Sequence, residues 1–175
     1  MNLAALVLAL VTLQRLAELV IAQKNTVGLL AKGAYEVGAG HYPLIVILHA
    51  AWLGGLWWLA AIPGLSPHLV WLAVFVLLQL GRVWVLATLG SRWTTRIIVL
   101  PGAPLVTSGP FRYLSHPNYA VVAGEIAALP LAFDLFTFAA VFSLLNAAVL
   151  FIRIRAESAA LRRQSSTECA DAVRG

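Results

Sequence analysis

The stretch His68-Leu-Val-Trp-Leu-Ala-Val-Phe-Val-Leu-Leu-Gln-Leu-Gly-Arg-Val-Trp-Val-Leu-Ala-Thr-Leu89 decides the fold. It is apolar from its start to Gln79 and Arg82, and it reaches the roughly 20 residues that a helix needs to cross a hydrocarbon core at about 1.5 Å per residue. Segments of the same kind lie on either side of it. Leu3 to Ile21 is one, with Arg15 and Glu18 in its second half, and Tyr42 to Ile62, rich in tryptophan, is another. Tyr119 to Phe133 and Leu135 to Ile152 form an apolar hairpin around Asp134. Composition agrees: apolar residues make up 61% of the 175 and charged residues 11%, against about 45–50% and about 25% in ordinary globular chains. The excess apolar surface must face lipid, where only the backbone needs internal hydrogen bonds. The expectation is an all-α polytopic integral membrane protein with about five transmembrane helices. Residues 1–163 form one domain and 164–175 a disordered tail.

Charge sets the expected topology. Lys and Arg number two between Gln23 and Gly40, three between Gly90 and Asn118, and five from Arg153 onward, while the Pro63–Pro67 turn and the Asp134 turn have none. Alternate connections lie on alternate sides, so by the positive-inside rule the basic segments are cytoplasmic. The N-terminus is then outside and the C-terminus inside, which fits five crossings, and the expected location is a bacterial inner (plasma) membrane. The formal charge of +5 does not point to nucleic acid, because no basic run with interleaved aromatics exists; the basic residues flank apolar segments and read as topology signal and headgroup contact. The first segment lacks a basic leader and a small-residue cleavage site, so it reads as a retained span. Cys169, the one cysteine, cannot form an internal disulfide and reads as an incidental tail residue. Thr94 to Val99, closed by Pro101-Gly102, reads as a short strand or hairpin at the cytoplasmic surface.

Ionisable groups inside spans are expensive and are functional candidates by default. Here they gather at one depth: Arg15 and Glu18, Gln79 and Arg82, Glu125, and Asn146 with Arg153, Arg155 and Glu157, with His41 and His116 in the adjoining connections. A polar chamber near the cytoplasmic leaflet accounts for them together. Arg15 and Glu18, three apart on one helix, can equally form a structural pair. His49, in mid-span, reads as a satisfied interhelical hydrogen bond, and the six tryptophans as interface belt or packing. The outer halves of the spans are nearly free of ionisable residues, which argues for a one-sided chamber rather than a path through the membrane.

The most informative stretch is Ser108-Gly-Pro-Phe-Arg-Tyr-Leu-Ser-His-Pro-Asn-Tyr119. Gly-Pro fixes a turn, and Pro117 suits the first turn of the following helix. Arg112, His116, Asn118 and Tyr119 bring donors and an aromatic face together, as in a binding loop or a well-capped helix start.

With the hairpin that follows and the Arg153-Ile-Arg-Ala-Glu-Ser158 that ends it, this stretch resembles the isoprenylcysteine carboxyl methyltransferase family, whose members share Arg-His-Pro-x-Tyr and a Glu-Glu pair. The resemblance covers Pro101 to Leu161. Gly38-Ala-Gly-His-Tyr-Pro43 and Ser91-Arg-Trp-Thr-Thr-Arg96 are similar to a bacterial branch that methylates long-chain alkylpyrones or alkylresorcinols. Ser115 stands where the family has Arg, and Ser158 where it has the second Glu. The resemblance implies S-adenosylmethionine bound by a cytoplasmic loop and C-terminal helix through Arg112, Tyr113, His116, Pro117, Asn118, Tyr119, Arg155 and Glu157. Arg112 or Arg155 would pair with its carboxylate, Glu157 with its ammonium or near its sulfonium, and Tyr113 or Tyr119 would cover the adenine or cationic centre. No metal is implied. The implied activity is O-methylation of a lipophilic acceptor drawn from the membrane, with Arg82 orienting an anionic head and Glu125 or His41 as base for a phenol. No strand precedes a Gly-x-Gly pattern, which excludes a soluble Rossmann-type methyltransferase. The alternatives are an NADPH-dependent membrane lipid reductase, some of which carry a similar His-Pro-Asn-Tyr ending, and a non-enzymatic membrane subunit or transporter.

Overall fold

The computed structural model describes residues 3–60 and 67–174, the side chains of 163–174 excepted. The expected turn residues Pro63, Gly64 and Ser66 and the Cys169 side chain lie outside the described residues. Five α-helices carry the described fold: α1 (Leu3–Leu30), α2 (Tyr42–Ala60), α3 (Leu69–Leu89), α4 (Pro117–Leu131) and α5 (Phe136–Arg174). Two short strands, β1 (Tyr35–Val37) and β2 (Ile97–Val99), and three 3-10 turns complete it at one end. Four of the helices are long and apolar enough to cross a membrane. The chain is an all-α polytopic membrane protein.

α4 is the short helix, 15 residues or about 22 Å at the α-helical rise. It still passes from one end of the bundle to the other. Its far end meets the start of α3, where the His68 amide donates to the Ala132 carbonyl at 2.8 Å, and His68 Nε2 pairs with Asp134 at 2.9 Å. The five helices therefore run alternately up and down. The apolar core lies toward that far end, built from Leu8, Trp52, Leu56, Phe75, Ile126, Leu129 and Phe133. Much of the remaining apolar surface is exposed on the outside of the bundle, as lipid contact requires.

α4 owes its shape to two residues. Gly124 packs so closely on α3 that a Cβ there would meet the Leu78 side chain at 2.8 Å. Pro130 has no amide hydrogen, so the Ile126 carbonyl loses its helical partner. The Trp52 indole fills that place, donating to the Ile126 oxygen at 3.2 Å, and so ties α2 to α4. Trp52 is core rather than interface belt.

Several boundaries differ from the sequence expectation. α1 continues to Leu30, past the expected end at Ile21, because Gln23, Lys24 and Asn25 do not break a helix; the Asn25 amide donates to the Gly90 and Trp93 carbonyls at 3.2 and 2.8 Å. No helix break marks the expected end of the domain at residue 163, since the α5 backbone runs on to Arg174. Of the expected Thr94–Val99 only Ile97–Val99 is strand, and its partner is distant in sequence: β2 pairs antiparallel with β1, Tyr35 opposite Val99 and Val37 opposite Ile97. The Arg96–Glu36 pair at 2.8 Å and Tyr42 Oη to Thr95 Oγ1 at 3.1 Å fasten this small sheet to the start of α2. Gly38, at φ 67°, makes the turn between them; the His41 ring lies 1.9 Å from where a Cβ would be.

Candidate active site

Two polar clusters occupy the end of the bundle that carries the sheet. The deeper one joins α1, α3 and α4. Glu125, 1% exposed, accepts from Arg15 Nη2 at 2.6 Å, Gln79 Nε2 at 2.9 Å and Arg82 Nε at 2.8 Å, and from Arg82 Nη2. Glu18 accepts from Gln14 at 2.9 Å, Arg15 at 2.9 Å and Arg82 at 3.1 Å, and Gln14 donates to Gln79 at 2.7 Å. Two guanidiniums meet two carboxylates, so the cluster is neutral. The Arg15–Glu18 pair read from spacing is present as one edge of this larger network.

The second cluster lies where α4 begins and α5 leaves the apolar layer. Tyr119 Oη donates to Glu157 Oε2 at 2.6 Å. The His116 ring stacks on the Tyr119 ring with centroids 5.5 Å apart. His116 Nδ1 is 3.7 Å from Glu157 Oε2, and its Nε2 is 3.4 Å from Ser158 Oγ. Ser158, standing where the family resemblance puts a second Glu, thus takes a place beside the histidine. Arg153, 5% exposed, donates to the Thr95 carbonyl at 2.9 Å and lies over the Tyr119 ring at 5.9 Å. Among the described side chains four polar atoms are buried with no hydrogen-bond partner: Asn118 Oδ1 and Arg153 Nε in this cluster, and Trp93 Nε1 and Asn146 Oδ1 besides. Unpaired buried polar atoms are costly and call for an explanation.

One cavity of about 1050 Å³ connects the two clusters. Arg15, Glu18, Arg82 and His49 line its membrane end; Arg92, Arg96, Arg153, Arg162, His116, Asn118, Tyr119 and Glu157 line its polar end. Between them the wall is apolar. Leu16, Leu19 and Val46, which line it from α1 and α2, are 55%, 48% and 45% exposed, so the cavity is open on that side.

Of the site residues named from sequence, Arg82, His116, Pro117, Asn118, Tyr119 and Glu157 line this cavity. Glu125 sits behind its wall, inside the closed network. Arg112, Tyr113, Arg155 and His41 are not among its lining residues. Arg112 and Tyr113 are exposed, with the Tyr113 ring tilted against Trp84 at 6.5 Å. Arg155 turns outward over Phe151 at 5.1 Å, and His41 packs on Gly38. Positive charge reaches the cavity instead from Arg92, Arg96, Arg153 and Arg162. Arg96 is held more firmly protonated than usual by its hydrogen bond to Glu36. Arg153 is the residue that sequence reasoning undervalued, and spacing contained the signal: Arg153 and Glu157 are four apart and share a helix face, whereas Arg155 and Glu157 do not. His49, read from sequence as an interhelical hydrogen bond, also lines the cavity. Its Nδ1 bonds to the Ile45 carbonyl of its own helix at 2.8 Å, not across to a neighbour. Among the described residues no group of His, Cys, Asp and Glu could hold a metal ion.

The sequence pattern of the isoprenylcysteine carboxyl methyltransferase (ICMT) family matches residues 71–163. The chain is 39% identical over 163 residues, 91% of its own length and 97% of the relative's, to the uncharacterized protein YpbQ of Bacillus subtilis (strain 168). No solved structure matches it.

Proposed function

The chain belongs to the isoprenylcysteine carboxyl methyltransferase family, and from that premise we propose that it moves a methyl group from S-adenosylmethionine to an oxygen of a lipophilic acceptor at one face of the membrane. Membership itself makes the chain a membrane methyltransferase. The acceptor class, the cofactor contacts and the orientation are our reading. The observation that carries it is one cavity with two unlike ends, one polar with unpaired buried atoms and one apolar and open between α1 and α2.

The polar end suits the cofactor. S-adenosylmethionine carries a carboxylate, an ammonium, a sulfonium and an adenine. Arg153 has an unpaired donor for a carboxylate, and charge-assisted bonds of that kind are the strong ones. Asn118 has an unpaired acceptor for an N–H. Glu157 offers negative charge to the ammonium or sulfonium, and the His116–Tyr119 stack offers an aromatic face. When bound, the cofactor supplies an electrophilic methyl group. The protein's part is to bind, orient and keep water away. Tyr119 and His116 hold Glu157 in place, Arg153 braces Tyr119, and the apolar wall excludes solvent around the reacting oxygen. Arg15 and Arg82 face the cavity at its membrane end and draw an anionic or polar head toward them. The acceptor's tail lies between α1 and α2, along Leu16, Leu19 and Val46. The basic end, with Arg92, Arg96, Arg153 and Arg162, faces the cytoplasm by the positive-inside rule, which leaves the N-terminus outside.

Calorimetry on purified protein in detergent tests this. S-adenosylmethionine and its demethylated product should each give a binding heat, and Glu157→Ala should weaken both by about tenfold or more, the loss expected for one charge-assisted contact. No heat with either ligand, or heat with NADPH alone, overturns the reading. Incubation with methyl-labelled cofactor and a membrane lipid extract should label a lipid-soluble product; label confined to protein rules out the lipophilic acceptor.

A further inference from the structure

Two of the described tryptophans are buried, Trp52 at 1% and Trp93 at 3% exposed, and their indoles fare differently. Trp52 Nε1 donates to the Ile126 carbonyl. Trp93 Nε1 is buried with no hydrogen-bond partner. A sealed, unpaired donor calls for an explanation, and an indole nitrogen can only donate. The residue is held on both sides of its backbone: its amide donates to the Gly90 carbonyl at 3.1 Å, and its own carbonyl accepts from Asn25 at 2.8 Å. Trp93 lines the cavity together with Leu89 and Phe111, which pack against it. This part of the wall is apolar and aromatic and carries one spare N–H.

Its place along the cavity follows from Arg153, which bonds to the Thr95 carbonyl at 2.9 Å. Thr95 is two residues from Trp93, at most about 7 Å of chain. S-adenosylmethionine spans more than that between its carboxylate and its base, so one molecule can meet both residues. The other groups of the cofactor have partners: Arg153 for the carboxylate, Glu157 for the ammonium or sulfonium. The adenine does not. Tyr113, a candidate for it from sequence, is exposed and outside the cavity. Adenine has apolar faces, and its ring nitrogens N1, N3 and N7 accept hydrogen bonds.

We infer that Trp93 is the residue that reads the cofactor's base: its indole Nε1 donates to a ring nitrogen of the adenine, which lies against Phe111 and Leu89. The inference rests on the methyl-transfer reading and names a specificity-determining residue of the same site. The bond is made on binding and takes no part in the transfer. Its consequence is selectivity, since a base with C–H in place of that nitrogen leaves the indole N–H unpaired again.

The test is calorimetry in detergent with S-adenosylhomocysteine and its 1-deaza, 3-deaza and 7-deaza analogues, each with one ring nitrogen replaced by C–H. Wild-type protein should bind one of the three about fivefold to tenfold more weakly than the parent compound, the loss expected for one neutral hydrogen bond. Trp93→Phe should weaken the parent by a similar factor and should bind that same analogue no more weakly than the parent, so the two losses do not add. The melting temperature of the ligand-free variant reports whether it folds, and Trp93→Leu is the second variant if it does not. If neither folds, the wild-type series decides: one weakened analogue supports the assignment. Equal affinity for all four compounds overturns it, as does a loss that persists in full in the variant, because Trp93 would then serve packing alone. Wild-type protein that binds no S-adenosylhomocysteine overturns the methyltransferase reading as well, whereas binding without coupling overturns only the assignment of Trp93.

Discussion

Two clusters of charge sit along one cavity in this protein, and they have opposite bookkeeping. In the deeper one, Gln14, Arg15, Glu18, Gln79, Arg82 and Glu125 satisfy one another, with two positive and two negative charges and no orphaned atom among those described. In the other, Tyr119, Glu157, His116, Ser158 and Arg153 touch, yet Arg153 Nε and neighbouring Asn118 Oδ1 have no partner. Burial of ions is expensive in both places. The closed cluster recovers that cost internally and so specifies how α1, α3 and α4 dock. The open cluster recovers it only when something else arrives. A buried ionisable residue in a membrane span is a functional candidate by default, but the satisfied and unsatisfied cases call for different functions, and only coordinates tell them apart.

The largest effect comes from breaking the closed cluster. Glu125→Ala removes four accepted hydrogen bonds and leaves Arg15 and Arg82 with Glu18 alone. Removing one partner of a buried ion pair costs about 3–5 kcal/mol, and the variant should fail to elute as a single folded species in detergent. Glu18→Ala should cost less, because Arg15 and Arg82 keep Glu125. The double variant Arg82→Met with Glu125→Leu leaves Arg15–Glu18 as the ion pair of the network and should melt above Glu125→Ala alone. Equal melting of the two would mean that the network contributes no pairing and that the comparison with the open cluster is empty.

Breaking the open cluster should do the reverse. Arg153→Met should weaken S-adenosylmethionine about tenfold or more, a loss of about 1.4 kcal/mol or more in binding, while the melting temperature of the ligand-free protein moves little, since one bond to the Thr95 carbonyl and a contact over Tyr119 are all that it gives up. Arg155→Met, two residues away and turned outward over Phe151, should leave the affinity unchanged. Titration calorimetry of the three proteins decides it. Equal losses at 153 and 155 would show that net charge, not placement, is what the cofactor reads.

The sequence carried the helices and the depth of the polar residues, because span length and hydropathy are local properties. It carried the Arg15–Glu18 pair for the same reason: three residues on one helix are neighbours whatever the fold. What it did not carry was which helices those residues also meet. Arg82 and Glu125 were visible as candidates and invisible as partners, since residues 82 and 125 come together only through the packing of Gly124 on Leu78. The β1–β2 pairing, joining Tyr35–Val37 to Ile97–Val99, was hidden likewise; three residues per strand leave no periodicity to read. Arg112, Tyr113 and Arg155 were chosen for their chemistry, and helix phase or a loop turns each of them away from the cavity. Arg153 could have been preferred on phase alone. The bond that His49 makes to its own helix had no sequence signal, because any mid-span histidine can make it.

The smallest effect calibrates the others, and it sits in α4 beyond the closed cluster, in the apolar core. Trp52 donates to the carbonyl that Pro130 leaves free at Ile126, a neutral bond in the apolar core. Trp52→Phe keeps most of the ring volume and removes the donor, so it should cost about 1 kcal/mol, seen as a fall of a few degrees in melting temperature with cofactor affinity unchanged. Pro130→Ala supplies a backbone N–H to the same oxygen. In the Pro130→Ala background, Trp52→Phe should therefore cost measurably less, and the double-mutant cycle reads the coupling directly. If the cost of Trp52→Phe is the same with proline or alanine at 130, the loss is one of packing volume and the carbonyl was never short of a partner. A cost well below that of Glu125→Ala is what the contrast between neutral and ionic burial in this helix requires.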